Sequence, residues 1–240
     1  SLGFDGFDGI DWDLEGNDNV ASPYNEFTVA CLELVGAMSA AARAHGFITS
    51  LVPAQSYFDV ETSAFDRSLL HAYPDYHPDF AYHGWNAYAF LQSKFGPFDI
   101  VDVQLYETWS RASRAIQAAG TPAPEYLARL AHQLSAGWRV DFDNAPELDW
   151  PSQVVSVAPS TLVFGFSFGS LTGRSLYVPP EDVEAAFGRL SASAQPRGVM
   201  FWNMALDGGL VNGTDTTVNL AASFNSFLHT RPTACLASVQ

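Results

Sequence analysis

A chain of 240 residues can bury one substantial core, and 48% hydrophobic content suits a single domain spanning residues 1–240. The formal charge of −15, with 11 basic residues and one lysine (Lys94), offers no patch for phosphates and argues against nucleic acid as a partner. No apolar run approaches the roughly 18 residues of a membrane span, and Ser1-Leu2-Gly3-Phe4-Asp5 has neither the basic nor the apolar region of a signal peptide.

Strand-like and helix-like runs alternate along the chain. Residues 9–14 read as a strand, and 25–45 as a helix with apolar residues at helical spacing. On that helix the stripe Phe27, Cys31, Leu34, Met38 predicts the core-facing side, with Cys31 a buried thiol. Residues 47–52 read as a second strand closed by Pro53, and an aromatic-rich segment follows from 54 to 96. Further strands are predicted at 98–106, 161–166 and 199–204. Helices are predicted at 124–138, 219–229 and 180–190, the last opening on Pro180. Strands alternating with helices indicate parallel βαβ units, in an open α/β sheet or part of a (β/α)8 barrel. Two cysteines set no disulfide framework, although Cys235, in the tail, is free to pair with a segment outside this sequence.

The first strand is unusual. Ile10, Trp12 and Leu14 alternate with Asp11, Asp13 and Glu15, so a period of two puts the acids on one face and the apolar side chains on the other. A buried parallel strand is normally apolar on both faces. In a barrel the apolar set packs outward against helices and the acids replace the usual aliphatic interior. Crowded carboxylates are costly there unless they share protons or hydrogen bonds. Asp13 and Glu15 have Cα atoms about 6–7 Å apart on one face, where like charge and partial burial raise the pKa of one of them. A carboxylic acid held protonated near neutral pH can donate to a glycosidic oxygen. Glu15 stands nearest the C-terminal end of its strand, where barrel enzymes keep their active sites.

Two plainer readings exist. Asp11-x-Asp13-x-Glu15-Gly16 begins like a calcium loop, yet Ser22 occupies the position where that loop needs its final acid, and Trp12 and Leu14 suit a strand better. A solvated edge strand with one polar face is the other.

The run Phe7-Asp8-Gly9-Ile10-Asp11-Trp12-Asp13-Leu14-Glu15 resembles the active-site strand of family 18 glycoside hydrolases, with acids spaced D-x-x-D-x-D-x-E. Later segments resemble the same family in the same order. Leu51-Val52-Pro53-Ala54-Gln55 is similar to its fifth strand, Val103-Gln104-Leu105-Tyr106-Glu107 to its sixth and Gly198-Val199-Met200-Phe201-Trp202 to its eighth. The resemblance implies a (β/α)8 TIM barrel of which strands 4–8 are present, and retaining, substrate-assisted hydrolysis of N-acetylglucosamine polymers or related glycans. It implies Glu15 as proton donor, Asp13 orienting the acetamido group, Asp11 holding Asp13, and Tyr106 bonding the acetamido oxygen. Gln104 and Gln55 would face the sugar, with Trp202 stacked beneath it. Tyr106 and Trp202 suit core aromatics nearly as well, and Asp8, out of phase, suits a structural role. The reaction needs no metal or cofactor. Glu107 departs from the Asn common in related chitinases and adds a negative charge near the cleft.

Other motifs carry less. Gly165-Phe166-Ser167-Phe168-Gly169 fits the nucleophile elbow G-x-S-x-G, but the next predicted helix begins only at Pro180 and His229 is the only later histidine. The histidine- and aromatic-rich stretch from Tyr73 to Trp85 lacks metal-ligand spacing and reads as a packed loop or a sugar-stacking wall. Trp109 is placed to border the cleft. The sequon Asn212-Gly213-Thr214 would accept a glycan in a secreted protein, although such triplets are common by chance, and the expected location is the secretory pathway or the extracellular space. Since the acidic strand stands first here but fourth in the family, the sequence is expected to be the C-terminal part of a longer barrel protein, the missing strands being an unassigned remainder, a cleaved but associated fragment, or an associated chain. An open piece would expose strand edges on both sides. The alternative function is a chitinase-like carbohydrate-binding or structural protein without turnover.

Overall fold

The strand and helix alternation is realised, with four of the five sheet strands shorter than the pattern suggests. The computed structural model describes residues 6–16, 22–69, 84–168, 175–211 and 214–229. In chain order the elements are β1 (Gly9–Trp12), α1 (Val29–Ala44), β2 (Ile48–Leu51), α2 (Ala87–Phe95), β3 (Ile100–Gln104) and α3 (Arg111–Ser113), which runs on as a π-helical stretch over Arg114–Ala118. There follow α4 (Ala123–Ala136), β4 (Trp138–Val140), β5 (Gln153–Val155), β6 (Leu162–Ser167), α5 (Pro180–Gly188), β7 (Gly198–Trp202) and α6 (Leu220–His229).

Among the described residues, five strands form one parallel sheet in the order β1-β2-β3-β6-β7. β1 and β7 are its edges. The sequence pattern missed the antiparallel pair β4–β5, whose strands are too short to show a period. It also missed α2, inside the aromatic segment, where Ala87 to Leu91 are all buried and the polar Gln92, Ser93 and Lys94 follow in a block, so no helical alternation shows.

Residues paired across strands share a face of the sheet. Trp12, Leu51 and Val101 are successive partners across β1, β2 and β3. They lie on the helix side, where Trp12 Nε1 donates to Ser39 Oγ of α1 at 2.8 Å. Asp11 pairs with Ser50, Gln104 with Gly165 and Ser167 with Trp202. The face opposite the helices is therefore polar.

The core lies between the sheet and its helices, where Val101, Val103, Phe164 and Phe166 meet Phe90, Leu130 and Phe187. α4 contributes Tyr126, Leu127, Leu130, Ala131 and Leu134, a helical stripe. Of the predicted stripe, Phe27 is buried just before α1, but the members on the helix are out of phase. Its buried face is Leu32, Val35, Gly36, Ser39 and Ala42, while Leu34 and Met38 are exposed and Cys31 is only half-buried. The reason is close approach: a Cβ at Gly36 would overlap the Phe95 ring of α2, so small residues form the contact and the large ones turn outward. Cys235, Asn212 and Gly213 lie outside the described residues. Among the described residues no helix is long and apolar enough to cross a membrane.

Candidate active site

The alternation in the first strand places Asp11, Asp13 and Glu15 together on the polar face. They do not fill a packed interior. β1 is an edge strand and all three side chains are exposed. What organises them comes from β3. Gln104 is 1% exposed, and its Nε2 donates to Asp13 Oδ1 at 2.9 Å, Glu15 Oε1 at 3.2 Å and Val52 O at 2.9 Å. One amide group thus bridges the two acids that the period of two had brought to the same face. Partial desolvation by its neighbours raises the Asp13 carboxyl above the usual range, the Gln104 hydrogen bond pulls it down in part, and the charge of Asp11 pushes it up again.

Two further carboxyls surround the pair. Asp102, two residues before Gln104 on the same face, is 6% exposed and is pushed up to about 8 by burial and then by Asp11 and Asp13. Its Oδ1 is buried without a hydrogen-bond partner. Glu107, just past β3, is also pushed up to about 8, by burial and then by Glu15 and Asp13. Both hold a proton at neutral pH, which limits the negative charge gathered around Asp13 and Glu15. Sequence reading noticed Glu107 and missed Asp102, a lone acid in an apolar strand whose alternation with Gln104 was the available signal.

Tyr106 lies among these groups. Its phenol is driven above the normal tyrosine range by burial and then by Glu107, Glu15, Asp13 and Asp102. It therefore remains a hydrogen-bond donor. Trp202, at the end of β7 on the polar face, is 58% exposed. Gln55 is placed differently from the sugar-facing position expected: it is buried, with Nε2 donating to Tyr126 Oη at 2.7 Å and Oε1 accepting from Ala112 N at 2.9 Å. Both ends of its amide are spent on the helix layer.

Ser167 is the last residue of β6 and is buried, and among the described residues the next helix, α5, begins at Pro180. Gly165 has a packing reason instead. A Cβ there would stand 3.0 Å from Met200 Cε and 3.2 Å from Asp102 Oδ1. Trp109 is half-buried in the turn after β3. The stretch from Tyr73 to His83 lies outside the described residues, as does Gly169. Among the described residues, no group of three or more His, Cys, Asp or Glu side chains is placed to hold a metal ion.

No family model and no curated protein matches the sequence. Solved structures do. The chain is similar to a family GH18 chitinase from Chromobacterium violaceum, with a TM-score of 0.60 and 18% identity over 93% of this chain and 55% of that one. It is also similar to a GH18 chitinase from Pseudoalteromonas aurantia, with a TM-score of 0.53 and 13% identity over 93% of this chain and 62% of that one. The fold is that of part of a TIM-barrel-like α/β protein of the GH18 kind. The chain spans little more than half the length of the structures it matches.

Proposed function

We propose that this chain is a glycoside hydrolase acting on β-1,4-linked N-acetylglucosamine, in chitin or related glycans, by retaining, substrate-assisted acid catalysis. The observation that carries this reading is the Gln104 amide bridging Asp13 and Glu15, with the Tyr106 phenol among the same carboxyls. Glu15 gives its proton to the glycosidic oxygen as the bond to the anomeric carbon breaks. The substrate's acetamido carbonyl oxygen forms the new bond to that carbon. Asp13 accepts a hydrogen bond from the acetamido N–H and balances the positive oxazolinium ring, while Tyr106 donates to the acetamido oxygen. Water then attacks the anomeric carbon from the side the leaving group vacated, returns a proton to Glu15 and leaves the configuration retained. Trp202 offers an exposed indole for a sugar ring to stack on, and Asp11 adds the charge that keeps Asp13 high.

The open sheet edges at β1 and β7 support a second element: the remaining strands of a closed barrel lie outside residues 1–240, on the same polypeptide or on an associated chain or fragment. Exposed Leu34 and Met38 on α1 and Phe47 and Ile48 at the start of β2 give such a partner apolar surface to cover. A stable, fully active monomer of residues 1–240 alone would sink this element. The site-residue roles, the glycan substrate and a secretory or extracellular location belong to the same reading.

The exposure of Asp11, Asp13 and Glu15 favours the other function, a chitinase-like carbohydrate-binding or structural protein, because acid catalysis needs a cleft that excludes water. Release of reducing ends from chitin oligomers separates the two. Turnover abolished by Glu15→Gln supports the hydrolase, and oligomer binding without turnover supports the binding protein.

A further inference from the structure

Leu14 separates the two acids, and its peptide groups are their covalent links. Its N–H belongs to the bond with Asp13, its C=O to the bond with Glu15. β1 ends at Trp12, whose carbonyl accepts the Val52 N–H at 2.9 Å in the last rung toward β2. Beyond that rung a side chain takes over. Tyr88 Oη lies 2.7 Å from Leu14 N and 3.0 Å from Leu14 O, accepting from the first and donating to the second.

We propose that Tyr88 is a positioning residue that fixes Asp13 and Glu15 relative to one another by holding both peptide groups of Leu14. The proposal rests on the hydrolase reading for the roles of the two acids. The phenol satisfies the donor and the acceptor of one residue at once, so neither adjoining peptide plane can rotate without breaking a hydrogen bond. Gln104 restrains the carboxyl ends of the same two residues. Backbone and side chains are thus held from separate elements.

Tyr88 is itself well anchored. It is fully buried, with its ring centroid 5.6 Å from those of Phe27 and Tyr57. It stands two residues after Asn86, which caps α2 in the left-handed region at φ 59. Asn86 Nδ2 donates to Thr62 O at 3.1 Å and Ala64 O at 2.8 Å, while Oδ1 accepts from Asp59 N at 2.9 Å and Trp138 Nε1 at 3.1 Å. The start of α2 is therefore locked to the loop after β2 and to β4, and Tyr88 carries that fixity to Leu14. Burial drives the phenol well above the tyrosine range, so it keeps its proton and can donate at any working pH.

The test is Tyr88→Phe, which keeps the ring and its packing and removes only the hydroxyl. Amide hydrogen exchange on the full chain needs no turnover. Leu14 is expected to be protected in the wild type and to exchange at least about tenfold faster in the variant, with α2 unchanged. An unprotected Leu14 amide in the wild type, or equal rates in both proteins, overturns the proposal. On an N-acetylglucosamine oligomer, kcat is expected to fall about 10- to 100-fold with KM within about twofold. Unchanged kcat, or a change confined to KM, also overturns it. A wild type that shows the exchange pattern but releases no reducing ends overturns the hydrolase reading and leaves the clamp on Leu14 standing.

Discussion

The Gln104 amide lies 2.9 Å from the Asp13 carboxylate, two strands away across the sheet. That bond is the tertiary link that turns an alternating strand into an arranged pair of acids, since the same Nε2 reaches Glu15 at 3.2 Å. Gln104 lowers the Asp13 pKa, so Gln104→Leu raises it. Less Asp13 is then ionised at a given acidic pH, and the acid limb of the kcat/KM profile moves upward by about one unit. A pH–rate series on chitin oligomers checks this. A limb that stays in place or moves downward contradicts it.

Asp102 makes stability fall as pH rises. Its carboxyl goes from an unfolded value of 3.8 to about 8 in the fold, so between these values the folded chain holds a proton that the unfolded chain has released. The stabilisation is complete below the unfolded pKa and is lost as pH climbs through the folded one, at up to about 1.4 kcal/mol per pH unit. Asp102→Asn removes this contribution, so Tm at pH 8 rises relative to Tm at pH 5. Glu107, displaced in the same direction, retains part of the slope. Melting curves at the two pH values decide the matter, and an Asn variant as pH-sensitive as the wild type rules the explanation out.

Asn86 combines a left-handed backbone with a fully used, buried side-chain amide. Asn86→Ala leaves several buried polar groups unpaired and loses the tolerance of Asn for positive φ. The expected cost is about 3 kcal/mol or more. Urea unfolding measures it, and a loss below about 1 kcal/mol would be inconsistent with the hub described here.

Gly36 sets the distance between α1 and α2. In Gly36→Leu the new side chain must displace the Phe95 ring, with an expected destabilisation of about 1–3 kcal/mol despite the better helix propensity of Leu. Chemical denaturation reads the sign directly.

Trp202 is exposed, so its removal separates binding from folding. In Trp202→Ala, stability is expected to stay within about 0.5 kcal/mol of the wild type, while affinity for a chitin oligomer falls about 3- to 10-fold. Titration calorimetry and a thermal melt on one preparation check both halves. Equal affinities would remove Trp202 from the sugar site.

Much of the fold was legible along the chain. Parallel strands between helices follow from hydrophobic period and turn residues, and each of the five predicted sheet strands is present with its ends shifted by no more than two residues. α2 was hidden because its first five residues are all buried and its polar ones follow in a block, which leaves no amphipathic period to read. The face of α1 was misread because pattern reasoning assigns large apolar residues to the core, whereas here close helix approach selected Gly36 and Ser39. Gln55 was assigned by its likeness to a strand end, but its amide is consumed by Tyr126 and Ala112, which lie far along the chain.

The sequence by itself determined that Asp11, Asp13 and Glu15 share one face and that Trp12 turns the other way, because side-chain alternation is a local property of an extended backbone. Only the tertiary structure decided how those acids are held. The Gln104 bridge, the proton-bearing Asp102 and Glu107 beside them, and the Tyr88 hydroxyl on Leu14 all join residues far apart in the chain. Hydrogen bonds and carboxyl desolvation depend on which groups the folded sheet brings within a few ångströms, and no spacing in the sequence encodes that distance.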